Sequence, residues 1–247
     1  MTRGDFSKQA EAYGRSRPSY PTELIELSFQ DAGLKTSDPV ADLGAGTGIF
    51  TRALVEHGFL ASAVEPNAEM RRQADCPQAR WIDGSFEATT LPDQSQSWVV
   101  AAQAFHWADP IRALPELRRI LQPRRLFTAI WNVKAMDGNP TLRWTADAIE
   151  RCCPGFRDAY DGTDWPTVLE STGDFEFVGS RSVRHSQPMS PTRFVALWKS
   201  HHWLQRSANP EAFAAFIAEL QSHLAASSVG EVDVVYDCTA YSARRRD

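Results

Sequence analysis

Val40-Ala41-Asp42-Leu43-Gly44-Ala45-Gly46-Thr47-Gly48 decides the fold of this 247-residue chain. A short apolar run enters a turn with glycine at every second position, and Phe50, Leu54 and Val55 then recur at helical spacing until Gly58. That is a buried strand, a glycine loop and a helix. Glycines there let backbone approach a ligand closely and aim helix N–H groups at it. The spacing, Gly44-x-Gly46-x-Gly48 preceded by Asp42, differs from the dinucleotide fingerprint G-x-G-x-x-G.

The same alternation continues outward through residues 38–132. Ala61-Ser62-Ala63-Val64 reads as a second strand ending on Glu65, with a helix from Pro66 to about Ala74. Arg80 to Asp83 reads as a third strand, Ser97 to Ala104 as a fourth, and Leu126 to Trp131 as a fifth. Asp109-Pro110 opens a helix as N-cap and first-turn proline. Apolar strands alternating with helices predict a parallel sheet covered on both faces, with every strand C-terminus along one edge. In such sheets the ligand sits at that edge, where the strand order reverses.

Before this region, Thr22 caps a helix carrying Leu24, Ile25 and Leu27 that ends near Gly33. After it, residues 133–174 predict a helical cap. Phe175 to Gln187 alternates as a long sixth strand. Helices are expected at about 191–206 and 210–226, and Val232 to Ala243 reads as a final strand, so this strand-helices-strand section suggests an antiparallel edge.

Composition sets limits on function. The content is 43% hydrophobic and 23% charged, ordinary for a soluble protein, and the net charge of −5 offers no basic footprint for nucleic acid. Arg244-Arg245-Arg246 reads as a solvated tail. No apolar stretch is long enough for a membrane span, and the first 30 residues lack the apolar run of a secretory signal. Cys76, Cys152, Cys153 and Cys238 fit no metal pattern, so reduced thiols in a cytoplasm are expected, with no metal.

The pattern Asp42-x-Gly44-x-Gly46-x-Gly48 resembles motif I of class I S-adenosylmethionine-dependent methyltransferases. Gln103-Ala104-Phe105-His106-Trp107, Asp109-Pro110, Ile130-Trp131-Asn132 and the N-terminal Phe6, Ala12-Tyr13 and Arg17-Pro18-Ser19-Tyr20-Pro21 resemble a bacterial small-molecule group of that family. The resemblance implies a Rossmann-like, doubly wound, mostly parallel seven-stranded α/β sheet with an antiparallel last strand. It implies a single domain over 1–247. Residues 1–37 would form N-terminal lid helices and 38–132 the cofactor core. Residues 133–174 and about 188–228 would form the cap. One departure is Pro123-Arg124-Arg125, where the family has Pro-Gly-Gly.

The cofactor implied is S-adenosylmethionine. Glu65, 17 residues past Gly48, would take its ribose hydroxyls, with Pro66 beside it. Ser85 or Phe86 would flank the adenine. The amino-carboxylate would meet Asp42, Gly44, Ala45, Gly46, Gly48 and Gln103, with Arg17 and Tyr13 folding over from the N-terminus. His106, just past the fourth strand, is the candidate base or acceptor-orienting group, and a packed histidine is the competing reading. Trp107, Trp131 and Asn132, just past strand ends, are candidate acceptor contacts. His201-His202 lies in a helix with one ring facing in and one out. The expected activity is methyl transfer to a small-molecule O, N or carboxylate acceptor by a monomer or homodimer. The alternative is a non-methyl outcome with the same cofactor: cyclisation or transfer of its amino-carboxypropyl chain, or a pericyclic step. No nucleic acid or membrane partner is expected, since no N/D-P-P-Y/F motif follows the fourth strand.

Overall fold

A computed structural model describes residues 19–158, 160 and 162–247. Seven strands form one sheet in the order β3-β2-β1-β4-β5-β7-β6. They are β1 (Pro39–Leu43), β2 (Leu60–Val64), β3 (Arg80–Ile82), β4 (Gln96–Ala102), β5 (Leu121–Lys134), β6 (Phe175–Met189) and β7 (Val232–Arg245). The pairs among β1 to β5 are parallel, and β7 is antiparallel to both neighbours. The order reverses between β1 and β4, so the glycine loop after β1 opens at the switch point.

Helices cover both faces because the strands are apolar on both. On one face, α1 (Thr22–Ala32) and α2 (Ile49–Glu56) bury Leu24, Phe29, Phe50 and Leu54 against Val40, Trp98, Ile130 and Ala240. The short α3 (Ala68–Arg72) follows β2. On the other face, α4 (Pro110–Ile120) and α6 (Trp165–Glu170) bury Leu114, Leu117, Trp165 and Leu169 against Val99, Phe127 and Trp131. A third apolar cluster joins α5 (Pro140–Cys152), α7 (Pro191–Lys199), α8 (His202–Ser207) and α9 (Pro210–Ala226) to Met189, Val232, Val234 and Tyr236. Those last residues lie where β6 ends and β7 begins. The cap therefore stands over the edge that carries the parallel strands' C-termini.

Several boundaries differ from the sequence expectations, each for a local reason. β4 stops at Ala102, because Gln103 turns to φ 54° and Phe105–Trp107 forms a single 3-10 turn. The helix after β2 starts at Ala68, since the Asn67 side chain accepts from the N–H groups of Glu69 and Met70. β5 begins five residues early, at Leu121. Inside it Arg124 takes the left-handed φ of 61° where the related pattern has glycine, and Arg125 Nη1 donates to the Ala32 and Gly33 carbonyls at the end of α1. The helix expected over 191–206 is two, α7 and α8, because His201 Nδ1 accepts from Leu204 N–H and starts a new one. β6 and β7 together form the expected antiparallel edge, with β7 between β5 and β6 and β6 outermost.

Candidate functional site

Each functional side chain is placed by a strand end. Gly44, at φ 69°, follows β1, and a Cβ there would meet the Ala104 Cβ at 2.7 Å. Only glycine lets the chain after β1 pass so close to the chain after β4. Gly46, at φ 58°, has open space where a Cβ would point, so its backbone can be approached directly. Gly48, at φ 82°, starts α2 and faces the Trp81 ring, with a Cβ position 3.0 Å from it.

A cavity of about 330 Å³ opens above this loop. Its walls carry Asp42, Gly44, Ala45, Gly46, Glu65, Pro66, Ser85, Phe86, Gln103, Trp107 and Asn132, all expected from the sequence. Glu65 is buried, with its carboxylate held at both oxygens. Gly46 N–H donates to Oε2 (3.0 Å) and Asn67 N–H to Oε1 (2.8 Å). The carboxylate so held forms part of the cavity wall. Asp42 is buried beneath the loop and accepts from Thr51 Oγ1 at 2.6 Å. Burial pushes its carboxyl up to about 7, and the Glu65 charge adds to the rise against the Thr51 bond. Gln103 is held in its left-handed turn by two bonds. Its N–H donates to the Ile130 carbonyl (2.7 Å), and its Oε1 accepts from Asn132 N–H (2.8 Å).

Three expected residues do not line the cavity. Gly48 serves the start of α2. Trp131 points to the opposite face of the sheet, where its ring stacks on Trp165 with centroids 3.8 Å apart. Strand alternation is the reason: Asn132 faces the cavity, so its neighbour cannot. His106 sits in the 3-10 turn with its ring beside Trp107 (5.0 Å) and Tyr160 (5.6 Å) and is not among the residues that line the cavity. Tyr13 and Arg17 lie outside the described residues. The described part of their segment does reach the site. Tyr20 lines the cavity, and the Ser19 carbonyl accepts from Asn132 Nδ2 at 3.3 Å.

Other wall residues were not singled out from the sequence, among them Asn67, Glu87, Lys134, Leu197 and Tyr236. Lys134 was within reach of a period-two argument, two residues past Asn132. Tyr236 was not, because its place depends on the β5–β7 register, which sets it opposite Lys134.

The residues fit S-adenosylmethionine. An acid-lined half, with Asp42, Glu65 and Glu87, suits a ligand carrying a sulfonium and an ammonium. The half-buried glycine loop that lines the cavity suits its amino-carboxylate end. Among the described residues no cluster of metal-ligating side chains occurs, and no helix is long and apolar enough to cross a membrane.

Comparison with known proteins agrees. Residues 41–128 match the family described as Methyltransferase domain. The chain is 42% identical over 199 residues to an uncharacterized methyltransferase of Mycobacterium tuberculosis, covering 74% of this chain and 79% of that one. It is 31% identical over 138 residues to the malonyl-[acyl-carrier protein] O-methyltransferase of Pectobacterium atrosepticum, half of this chain and 53% of that one. A solved structure of a proposed type II methyltransferase from Anaeromyxobacter dehalogenans superposes with a TM-score of 0.66 at 22% identity, over 93% of this chain and 97% of that one, and so shares the fold. Glycine loop, acid at the end of β2 and relatives all converge: the chain belongs to the class I S-adenosylmethionine-dependent methyltransferases.

Proposed function

We propose that the chain methylates a small-molecule acceptor held between the glycine-loop half of the cavity and its cap half. The observation that carries this is the Glu65 carboxylate, fixed by Gly46 and Asn67 N–H groups inside the cavity wall. It would accept from the ribose hydroxyls. The loop backbone at Gly44 to Gly46 would meet the amino-carboxylate, and Ser85 and Phe86 the adenine. When bound, S-adenosylmethionine supplies an activated methyl group on a good leaving group. The protein's part is then to orient the acceptor and exclude water. Asn132 and Trp107, which line the cavity together with Leu197 and Tyr236, would orient the acceptor at the cap side. The name of the Pectobacterium relative, an O-methyltransferase, supports an oxygen acceptor within this class.

Titration calorimetry with S-adenosylhomocysteine tests the assignment. Glu65→Ala should weaken binding by about 1.5–3 kcal/mol, the usual cost of charge-assisted hydrogen bonds. Unchanged affinity would remove Glu65 from the ribose. Product analysis tests the reaction: S-adenosylhomocysteine means methyl transfer, whereas methylthioadenosine means that the amino-carboxypropyl chain was used.

A further inference from the structure

We infer that Lys134 is the anchor for an ionised carboxylate, and that the acceptor is a small carboxylic acid esterified at that group. The inference rests on the proposed function and adds the substrate class to it.

Lys134 lies two residues past Asn132 on β5, so alternation puts both on the cavity face of the strand. In the sheet register Lys134 is opposite Tyr236 on β7, and Tyr236 is opposite His185 on β6. A polar row therefore crosses three strands at the cap edge. Its hydrogen bonds fix their own direction. The Ser19 carbonyl can only accept, so the Asn132 amide nitrogen faces it, and Asn132 Oδ1 faces His185. His185 Nε2, 2.9 Å from that oxygen, then carries the hydrogen. Burial lowers the His185 pKa, which favours the neutral ring. His185 thus holds Asn132 in place and does not itself line the cavity.

The charges divide the cavity in two. The lining carboxylates, Asp42, Glu65 and Glu87, all belong to the glycine-loop half. In the cap half the ionisable lining side chains among the described residues are Lys134 and Tyr236. The Lys134 ammonium stands 4.9 Å from the Trp198 ring centroid and within the field of the buried Asp158. Among the described residues no lining imidazole or carboxylate stands there to take a proton from an alcohol. An amine acceptor would have to lose its proton and sit beside a cation. A carboxylate needs no base, because it is ionised at neutral pH, and the lysine attracts it. Trp107, stacked on Trp203 with centroids 5.0 Å apart, and Leu197 provide an apolar wall for the rest of such an acid.

The step balances without a proton. One carboxylate oxygen forms a bond to the methyl carbon while the methyl–sulfur bond breaks. The bonding pair stays on sulfur, and a methyl ester and S-adenosylhomocysteine leave.

The test loads the protein with S-adenosylhomocysteine and titrates butanoate, octanoate, palmitate and phenylacetate, each against its own amide, by calorimetry. At least one acid should bind tenfold or more tightly than its amide. Lys134→Gln should abolish that preference and Lys134→Arg keep it, with S-adenosylhomocysteine affinity confirming an intact cofactor half in both. With tritiated methyl donor, the acid so found should acquire label that alkali releases as methanol. Equal binding of every acid and its amide, a preference that survives Lys134→Gln, or alkali-stable label would overturn the inference while leaving the methyltransferase reading intact. Failure of the wild type to bind S-adenosylhomocysteine would instead sink the proposed function, and this inference with it.

Discussion

Asp42 is the residue where the site works against the fold. Buried with hydrogen bonds from Thr51 that only partly offset its burial, its carboxyl titrates near 7 in the folded chain, against about 3.9 for an exposed aspartate. Between those values the folded state holds a proton that the unfolded state has lost. Stability from this group is therefore full below about pH 4 and is lost as pH rises through 7. Asn at this position cannot titrate. Urea unfolding of wild type and Asp42→Asn at pH 4.5 and pH 8 should show the gap shifting in favour of the variant at high pH, by a few kcal/mol and ~4 at most. Parallel behaviour at the two pH values would contradict it. The site tolerates the cost because a cationic ligand above Asp42 would favour its ionised form. Asp42, Gly44, Gly46 and Glu65 were legible in the sequence as cavity-wall residues, because close backbone approach demands glycine and the acid falls at the end of the next strand. Trp131 was misjudged for a different reason. Being just past a strand end says which edge a residue occupies, and the face depends on which neighbour points into the cavity.

At the scale of elements, the stack of Trp131 on Trp165 explains α6. This helix has six residues, too short to hold itself, and it is pinned to the sheet by Trp165 and Leu169. Asp164 caps it, its Oδ1 accepting from Thr167 N–H at 3.4 Å. Trp165→Ala should cost about 3–5 kcal/mol in chemical unfolding, the range for emptying a buried aromatic site. It should leave S-adenosylhomocysteine affinity unchanged, since α6 lies across the sheet from the cavity. Weakened ligand binding without lost stability would place this pair in the site instead. β1 to β4 were readable because each is a short run with a ligand-edge marker just past its end: Gly44, Glu65, Ser85 and Gln103. The cap was less readable. A histidine that accepts a backbone N–H, as His201 does, is an uncommon helix start and splits what periodicity shows as one helix.

The whole molecule couples three apolar clusters through one cavity. The parallel direction of β1 to β5 follows from right-handed crossovers and was legible in the strand-helix alternation. The insertion of β7 between β5 and β6 was not, because β6 and β7 pair across α7, α8 and α9, a separation that local pattern does not reach. That insertion brings Tyr236, from the cap cluster, into the same wall as Asp42 and Glu65 of the core. A ligand filling the cavity therefore touches the sheet and the cap together. If S-adenosylhomocysteine binds only the folded chain, a concentration 100 times its Kd stabilises by about 2.7 kcal/mol. At roughly 2–4 °C per kcal/mol for a chain of this size, scanning calorimetry should show Tm rising by about 5–11 °C. The apo protein can show a separate, earlier transition for the cap, since its cluster is distinct from the two under the sheet. With ligand present the cap and the sheet should melt in one transition, because the cavity wall is continuous between them. Two transitions that persist at saturation, with only the higher one moved, would show that the ligand grips the glycine-loop half alone and that the cap closes on the acceptor rather than on the cofactor.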